Sequence, residues 1–230
     1  MKKVLVTGST GSIGEACARY FHDAGYFVYL HYRSQEEKAK ALSGELKNSE
    51  TIQFDIREKD SVVKALENLE LDVLVNNAGI TKDKLFFWME DDDWNDVIDT
   101  SVNGTYLVTK AVIKNMISNK KGSIVNVTSV SGIVGNAGQT NYSAAKGAMI
   151  AFTKALSLEV ARYGIRVNAV APGLVESEMT KELDLKEMKK NIPLKRIGKA
   201  DEVAECVFFL ADRASYVTGE VLNISGGMVR

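Results

Sequence analysis

The sequence predicts an α/β fold in which seven parallel strands form one sheet with helices on both faces. Two observations support this prediction. Short apolar segments rich in β-branched residues alternate along the chain with longer amphipathic segments. A glycine-rich turn, TGSTGSIG, follows the first apolar segment and leads directly into a helical pattern. Because alternation of this kind is typical of right-handed βαβ units, we expect a doubly wound sheet.

The predicted strands are, in chain order, VLVT, YFVYLH, TIQFD, LDVLVNN, SIVNVTS, IRVNAVA and VLNIS. The predicted helices lie between them at about 12–24, 35–47, 58–69, 91–118, 141–163 and 199–212. This order of elements is Rossmann-like. Since no Gly/Ser-rich linker, low-complexity stretch or internal repeat divides the chain, we expect residues 1–230 to form a single domain.

The composition argues against several classes of partner. The chain has 230 residues, of which 29 are basic and 30 acidic, and its net charge is −1. Nucleic acid and anionic membranes are therefore not expected as partners. The first residues, MKKVLVTG, have an apolar run too short for a signal peptide, and no run is long enough to span a bilayer. We expect a cytosolic protein.

The cysteines and histidines give no metal-binding pattern. Cys17 and Cys206 lie far apart in helical apolar patterns and are expected to be reduced core thiols. His22 and His31 are the only histidines, and no Cys/His cluster has the spacing of a zinc site. No metal is expected.

Several polar residues and turns stand where predicted strands end. These are Gly8, Asp55, Asn76, Ser129 and Pro172. Because the carboxyl ends of parallel strands meet at one edge of a sheet, ligands bind there in open α/β folds. We therefore expect a single cleft that contains these positions.

Tyr142 and Lys146 form the candidate catalytic pair. They are four residues apart on a predicted helix, so they share one helix face, and Ser129 precedes Tyr142 by thirteen residues. The pair alone would be weak evidence, because a solvated helix face gives the same spacing. A cation next to a phenol favours the phenolate, so the sequence predicts that Lys146 lowers the pKa of Tyr142 and makes it a usable proton donor.

The glycine turn predicts a dinucleotide site. A strand, a glycine turn and a helix in succession let the backbone approach a diphosphate at the helix N-terminus. In the segment YLHYRSQEE, His31 occupies the place where an acidic residue would indicate NAD, whereas Arg33 and Ser34 could bind a 2′-phosphate. NADP(H) is therefore expected, with a solvated loop charge as the alternative for Arg33.

Taken together, these motifs resemble the short-chain dehydrogenase/reductase family, and most closely its 3-oxoacyl-[acyl-carrier-protein] reductases. The resemblance is strongest in LVTGSTGSIG, VLVNNAGI, SIVNVTSVSGIVGNAGQTNYSAAKGAM, GIRVNAVAPGLVESEM and VTGEVLNISGGM. One departure stands in the glycine turn, where Ser12 occupies the place of the family's middle glycine and Gly11 lies one position earlier.

The resemblance implies roles for particular residues. Tyr142 would protonate a carbonyl oxygen that Ser129 also binds, Lys146 would hold the nicotinamide ribose, and Asn103 would help hold a water that relays protons toward Lys146. Asp55 would contact the adenine amine, next to Ile56. The residues implied for cofactor binding are Gly8, Ser9, Thr10, Ser12, Ile13, Gly14, Arg33, Ser34, Asp55, Ile56, Asn77, Ala78, Gly79, Tyr142, Lys146, Pro172 and Gly173.

The resemblance also implies NADPH-dependent reduction of 3-oxoacyl thioesters on a carrier protein by a homotetramer. Within enzymes, the alternatives are reduction of acetoacetyl-CoA, a steroid or a sugar ketone. From another class, the chain could be a nucleotide-sensing protein without catalysis. We expect the segment from Leu174 to Glu205 to cover the substrate, with a plain connecting helix pair as the alternative. Lys120, Lys121 and Arg162 are candidate contacts for an acidic carrier protein.

Overall fold

The computed structural model describes residues 1–176 and 189–229. These residues form one sheet of seven parallel strands in the order β3-β2-β1-β4-β5-β6-β7. The strands are β1 Lys3–Val6, β2 Phe27–Tyr32, β3 Ser49–Gln53, β4 Val73–Asn76, β5 Gly122–Val127, β6 Ile165–Pro172 and β7 Val221–Ile224. All seven predicted strands and the Rossmann-like architecture are confirmed.

The pleat of each strand places successive side chains on opposite faces of the sheet. Val4 and Val6 of β1 belong to one apolar cluster, whereas Leu5 between them belongs to another. The first cluster lies between the sheet and two helices that pack on each other, α1 (Ser12–Asp23) and α8 (Ala200–Phe208). The second includes residues of helices α3 (Lys59–Leu66), α5 (Gly104–Ser118) and α7 (Thr140–Val160). Helices therefore cover both faces.

The remaining helices are α2 Glu36–Glu45, α4 Asp91–Ile98 and α6 Ser131–Val134. The helix predicted at about 91–118 is continuous but not uniform, because a π-helical turn at Asp99–Asn103 separates α4 from α5. Two short elements, α6 and the 3₁₀ turn Phe86–Trp88, were not predicted, since neither is long enough to show apolar periodicity.

Both cysteines are free thiols. Cys17 is buried in the first cluster, where burial raises its pKa to about 12, and Cys206 packs at the edge of the same cluster.

Among the described helices, none is long and apolar enough to cross a membrane.

Candidate active site

The glycine turn between β1 and α1 depends on two of its three glycines. Gly8 has a φ of +64°, which disfavours any side chain. A Cβ on Gly14 would stand 2.2 Å from the carbonyl oxygen of Gly8. A Cβ on Gly11 would meet nothing closer than that oxygen at 3.5 Å. Since Ser12 begins α1 with ordinary helical geometry, the shifted glycine leaves the turn intact.

Thr7 and Asn77 join this turn to the NNAG motif. The Thr7 hydroxyl accepts hydrogen bonds from the amides of Asn77 at 2.9 Å and Ala78 at 3.0 Å. In return, the side-chain amide of Asn77 donates to the carbonyl oxygens of Thr7 at 2.9 Å and Gly8 at 3.1 Å. The side chain of Asn77 therefore fixes the turn, and its neighbour Ala78 faces the cleft.

His31 lies at the end of β2 with its ring turned into the fold. Its Nδ1 accepts a hydrogen bond from the amide of Gly8 at 2.9 Å, and its Nε2 lies 3.0 Å from the carbonyl oxygen of Phe54. Burial lowers the pKa of His31 to about 4, so the ring is neutral. The position that would carry an acid in an NAD site thus carries an uncharged ring whose two nitrogens are already bonded.

Arg33 and Ser34 follow His31 and are exposed at the rim of the same cleft. Across from them, Asp55 forms an ion pair with Arg57, with 2.7 Å between Nη2 and Oδ2. Hydrogen bonding by the Arg57 side chain holds the pKa of Asp55 below its usual value. Asp55 is thus ionised and partly engaged, while Arg33 faces the cleft.

A cleft of about 820 Å³ runs along the carboxyl edge of the sheet. Most residues implied for the site line it, namely Gly8, Thr10, Ser12, Ile13, Arg33, Ser34, Asp55, Ile56, Asn77, Ala78, Gly79, Ser129, Tyr142, Lys146, Pro172 and Gly173. Ser9 and Gly14 are buried beneath it. The amide and hydroxyl of Ser9 both donate to the carbonyl oxygen of His31, so Ser9 supports the turn from below.

Ser129 and Tyr142 meet in the middle of the cleft. The Ser129 hydroxyl accepts a hydrogen bond from the amide of Ser131 at 3.1 Å, which fixes its orientation. Tyr142 is placed by the N-terminus of α7, because buried Asn141 accepts a bond from the Tyr142 amide and donates to the carbonyl oxygens of Lys82 and Asp93. No sequence motif had indicated this role of Asn141.

The pKa of Tyr142 shifts in the direction opposite to the prediction. Burial raises it, a hydrogen bond from Ser129 lowers it by less, and the charge of Asp83 raises it further. The amine of Lys146 stands over the phenol ring, 5.5 Å from its centroid, and donates to the carbonyl oxygen of Val127 at 2.9 Å. Burial also lowers the pKa of Lys146 to about 8. Tyr142 is therefore a neutral phenol at physiological pH.

Asn103 does not line the cleft with Ser129, Tyr142 and Lys146. It ends the π-helical turn, is exposed, and donates to Asp99 at 2.7 Å. Two residues earlier, Ser101 is fully buried, and its hydroxyl has no hydrogen-bond partner among the described residues. Ser101 Oγ and Lys146 Nζ both lie within 4 Å of the point where a Cβ on Gly79 would stand. Ser101 was not predicted, because the sequence does not show which side chain a π-helical turn directs inward.

The far end of the cleft is closed by the end of β6. Pro172 accepts a hydrogen bond from the amide of Val130, and Gly173 donates to Ile224 of β7. Of the segment predicted to cover the substrate, residues 177–188 lie outside the described residues. Within the described part, Val175 forms a parallel bridge with Gly198 beside the cleft.

The candidate carrier-protein contacts lie at the edge of the sheet opposite the cleft. Lys120 and Lys121 precede β5, and Arg162 precedes β6. They therefore stand at the amino ends of these strands, opposite the edge that carries the cleft. Lys121 is also paired with Asp72 at 2.7 Å. Contact of these residues with a carrier protein therefore stays a prediction, at a distance from the cleft of the same chain.

The residues present fit a nicotinamide dinucleotide. The cleft volume falls in the range of small-molecule and cofactor sites. Gly8 and Gly14 bring the backbone of the turn to the N-terminus of α1 without side chains in the way, an arrangement suited to a diphosphate. Lys146 donates to one carbonyl oxygen, so its amine can also donate to a ribose hydroxyl.

Several known proteins are similar to this chain over almost its whole length. A family model described as enoyl-(acyl carrier protein) reductase matches residues 8–229. The chain is 44% identical to nodulation protein G of Rhizobium meliloti, over 99% of this chain and 96% of that protein. It is 44% and 42% identical to proteins named 3-oxoacyl-[acyl-carrier-protein] reductase from Aquifex aeolicus and Staphylococcus epidermidis, over 99% of this chain and 97% and 98% of theirs. The chain therefore belongs to the short-chain dehydrogenase/reductase family.

Proposed function

We propose that this protein uses NADPH to reduce the ketone of 3-oxoacyl thioesters carried on acyl carrier protein, which gives 3-hydroxyacyl thioesters for acyl-chain synthesis. The observation that carries the proposal is the pair of hydroxyls, Ser129 and Tyr142, that meet over the cleft beside buried Lys146. Two hydroxyls at one point can both bind a single carbonyl oxygen. The names of the similar proteins supply the substrate class.

The chemistry divides between the dinucleotide and the chain. Bound NADPH supplies a hydride to the carbonyl carbon. Tyr142 donates its phenolic proton to the carbonyl oxygen, and it holds that proton at physiological pH because its pKa is raised. Ser129 donates a hydrogen bond to the same oxygen while negative charge develops there. Lys146 holds the ribose hydroxyls and keeps the nicotinamide end of the dinucleotide next to Tyr142.

The choice of a ketone over a carbon–carbon double bond rests on the names of the similar proteins, and the site is compatible with it. The family model carries the description of an enoyl reductase, whereas two of the similar proteins are named as reductases of 3-oxoacyl groups. Ketone reduction needs a proton donor at the oxygen that receives charge. The neutral phenol of Tyr142 with Ser129 beside it provides one at that point.

The direct test is NADPH oxidation with acyl carrier protein thioesters of a 3-oxoacyl and of an enoyl chain of equal length. Acetoacetyl-CoA, a steroid ketone and a sugar ketone complete the panel. We expect the highest kcat/KM with the 3-oxoacyl carrier thioester. A higher kcat/KM with the enoyl thioester would contradict the proposal, and so would a higher value with the steroid or the sugar. A protein that binds NADPH but reduces no member of the panel would support the nucleotide-sensing alternative.

NADPH rather than NADH is proposed because Arg33 is exposed at the cleft rim while His31 presents no carboxylate there. Arg33→Asp should lower the ratio of kcat/KM for NADPH to that for NADH by about a hundredfold, because it removes a cation that pairs with the 2′-phosphate and adds a repelling anion. Lys38→Asp, on the exposed face of α2, is the control for the charge change. An unchanged ratio of the two kcat/KM values in Arg33→Asp would show that Arg33 does not pair with the 2′-phosphate.

We also propose that the protein is a cytosolic homotetramer. Each of the helices α5 and α7 exposes a large apolar side chain. This side chain is Tyr106 in α5 and Leu158, which is 82% exposed, in α7. Val108, Val112 and Met149, which lie on the same helices, are buried in the chain's own structure. The helices therefore have one apolar face on the sheet and apolar residues left for a partner subunit.

A further inference from the structure

The ring of His31 connects three segments of the chain beneath the cleft. Its Nδ1 accepts from the amide of Gly8 in the glycine turn, and its Nε2 donates to Phe54, just after β3. The same ring packs against that of Phe54, with 4.0 Å between centroids and 42° between the ring planes. The carbonyl oxygen of His31 also accepts two hydrogen bonds from Ser9. The turn is thus attached to the ends of β2 and β3 through one residue.

The hydrogen bonds determine the tautomer of the ring. An amide N–H can only donate, so Nδ1 carries no proton, and the proton resides on Nε2, which faces a carbonyl oxygen. The ring is 2% exposed. A half-turn flip of the ring would break both bonds, because it would place Cδ2 where Nδ1 accepts and Cε1 where Nε2 donates.

We infer that His31 is a positioning residue for the dinucleotide: its ring holds the amide of Gly8, and with it the turn that receives the diphosphate. This inference rests on the proposed function. Gly8 is the residue of the turn with a positive φ. Asn77 holds the carbonyl oxygens of Thr7 and Gly8, whereas the amide of Gly8 is held by His31. His31 acts through Gly8 and does not reach the reacting atoms. Loss of the bond at Nδ1 should therefore weaken dinucleotide binding and leave the chemical step unchanged.

Two amide variants separate the two nitrogens of the ring. In His31→Asn, the side-chain oxygen takes the place of Nδ1 and can accept from Gly8, whereas the bond to Phe54 is lost. In His31→Gln, the side-chain amide takes the place of Nε2 and can donate to Phe54, whereas the acceptor for Gly8 is lost. Each variant loses one of two bonds, so both should be destabilised to a similar extent in urea unfolding.

The measurement is the Kd of NADPH and of 2′-phospho-ADP-ribose, which contains the diphosphate but no nicotinamide. We expect His31→Gln to raise both Kd values about tenfold, because the loss of one hydrogen bond is worth about that factor, while His31→Asn changes them less than threefold. With saturating NADPH, kcat should be unchanged in both variants.

Equal Kd values in the two variants would overturn the inference, whether both matched the wild type or both were weakened to the same degree. The second result would mean that the ring acts only by packing. Wild-type protein that binds neither NADPH nor 2′-phospho-ADP-ribose would overturn the proposed function as well. The two failures are thus distinguishable.

Discussion

At the scale of single residues, Gly8 and Gly14 differ from Gly11 in what a side chain would meet. A Cβ on Gly14 would collide with the backbone of Gly8, whereas one on Gly11 would make an ordinary contact. The shift of a glycine from position 12 to 11 therefore has little steric cost. The sequence pattern could not reveal this, because it does not indicate which glycines touch backbone.

Gly14→Ala and Gly11→Ala test this difference. We expect Gly14→Ala to lower the free energy of unfolding by about 1–3 kcal/mol, because the methyl group must push α1 away from the turn. Gly11→Ala should change it by less than about 0.5 kcal/mol. Urea unfolding of both variants measures the two values. A similar loss in both would mean that backbone entropy, and not the collision at Gly14, sets the requirement for glycine.

His31 also predicts how stability depends on pH. Its pKa falls from 6.5 in the unfolded chain to about 4 in the fold. The unfolded state therefore takes up a proton first, and stability present above pH 6.5 is lost as pH falls toward 4. Between pH 7 and pH 5 this loss should be about 2 kcal/mol. Urea unfolding at both pH values measures it.

The comparison that isolates this effect is the same measurement on His31→Gln, with His22→Gln as the control for removal of a histidine at a partly exposed position. The loss in free energy of unfolding between pH 7 and pH 5 should be smaller in His31→Gln than in the wild type by about 2 kcal/mol. If the two proteins lost stability in parallel, the ring of His31 would not be the group that titrates.

For Tyr142 and Lys146, the sequence predicted where the side chains lie but not how the fold shifts the pKa of the phenol. Their spacing correctly placed both side chains in one cleft with Ser129. The spacing did not predict the direction in which the pKa of Tyr142 shifts, because burial and the charge of Asp83 depend on the folded surroundings. The ammonium was expected beside the phenol oxygen, whereas the amine lies over the ring and bonds to Val127.

At the scale of elements, the contact between α6 and α7 places the catalytic candidates relative to one another. α6 begins two residues after Ser129, and α7 carries Tyr142 and Lys146. Gly132 of α6 faces the backbone of α7 so closely that a Cβ there would stand 2.6 Å from the carbonyl carbon of Lys146. The two helices can approach in this way only because Gly132 has no side chain.

Gly132→Ala should therefore lower both activity and stability. The added methyl group must move α6 away from α7, which separates Ser129 from Tyr142, so we expect kcat to fall at least tenfold and stability by about 1–3 kcal/mol. Gly44→Ala is the control, since a Cβ on this residue of α2 would meet nothing within 4 Å. Steady-state kinetics and urea unfolding measure both effects, and wild-type kcat in Gly132→Ala would contradict this account.

The strands and long helices could be predicted from the sequence because each has enough residues to show apolar periodicity. The short helix α6 and the π-helical turn at Asp99–Asn103 could not. Asn103 faces solvent while Ser101 is buried, because residues two positions apart lie on opposite sides of a helix. An error of two residues in position thus changes which side chain faces the interior.

At the scale of the whole molecule, parallel strands bring sequence-distant residues to one edge. Gly8, Ser129 and Pro172 stand at the ends of β1, β5 and β6 and line the same cleft. This arrangement was predictable from the order of strands and helices. By the same rule Lys120 and Arg162 stand at the opposite edge, because they precede β5 and β6.

The proposed assembly is tested by mass in solution. Light scattering after size exclusion should give about four times the mass of one chain, because α5 and α7 expose apolar side chains that a partner would cover. Leu158→Glu should lower this mass if α7 lies in an interface. Lys154→Gln, at another exposed position of α7, makes the same change in net charge and is the control. A wild-type mass equal to that of one chain would contradict the tetramer.

The most direct test of the central claim compares Tyr142→Phe with the wild type in NADPH oxidation with a 3-oxoacyl carrier thioester, with the Kd of NADPH measured on the same preparations. If Tyr142 gives its proton to the carbonyl oxygen, kcat should fall by about 10²–10⁴, while the Kd of NADPH changes less than threefold. A rate within a few-fold of the wild type, with NADPH bound normally, would contradict the account.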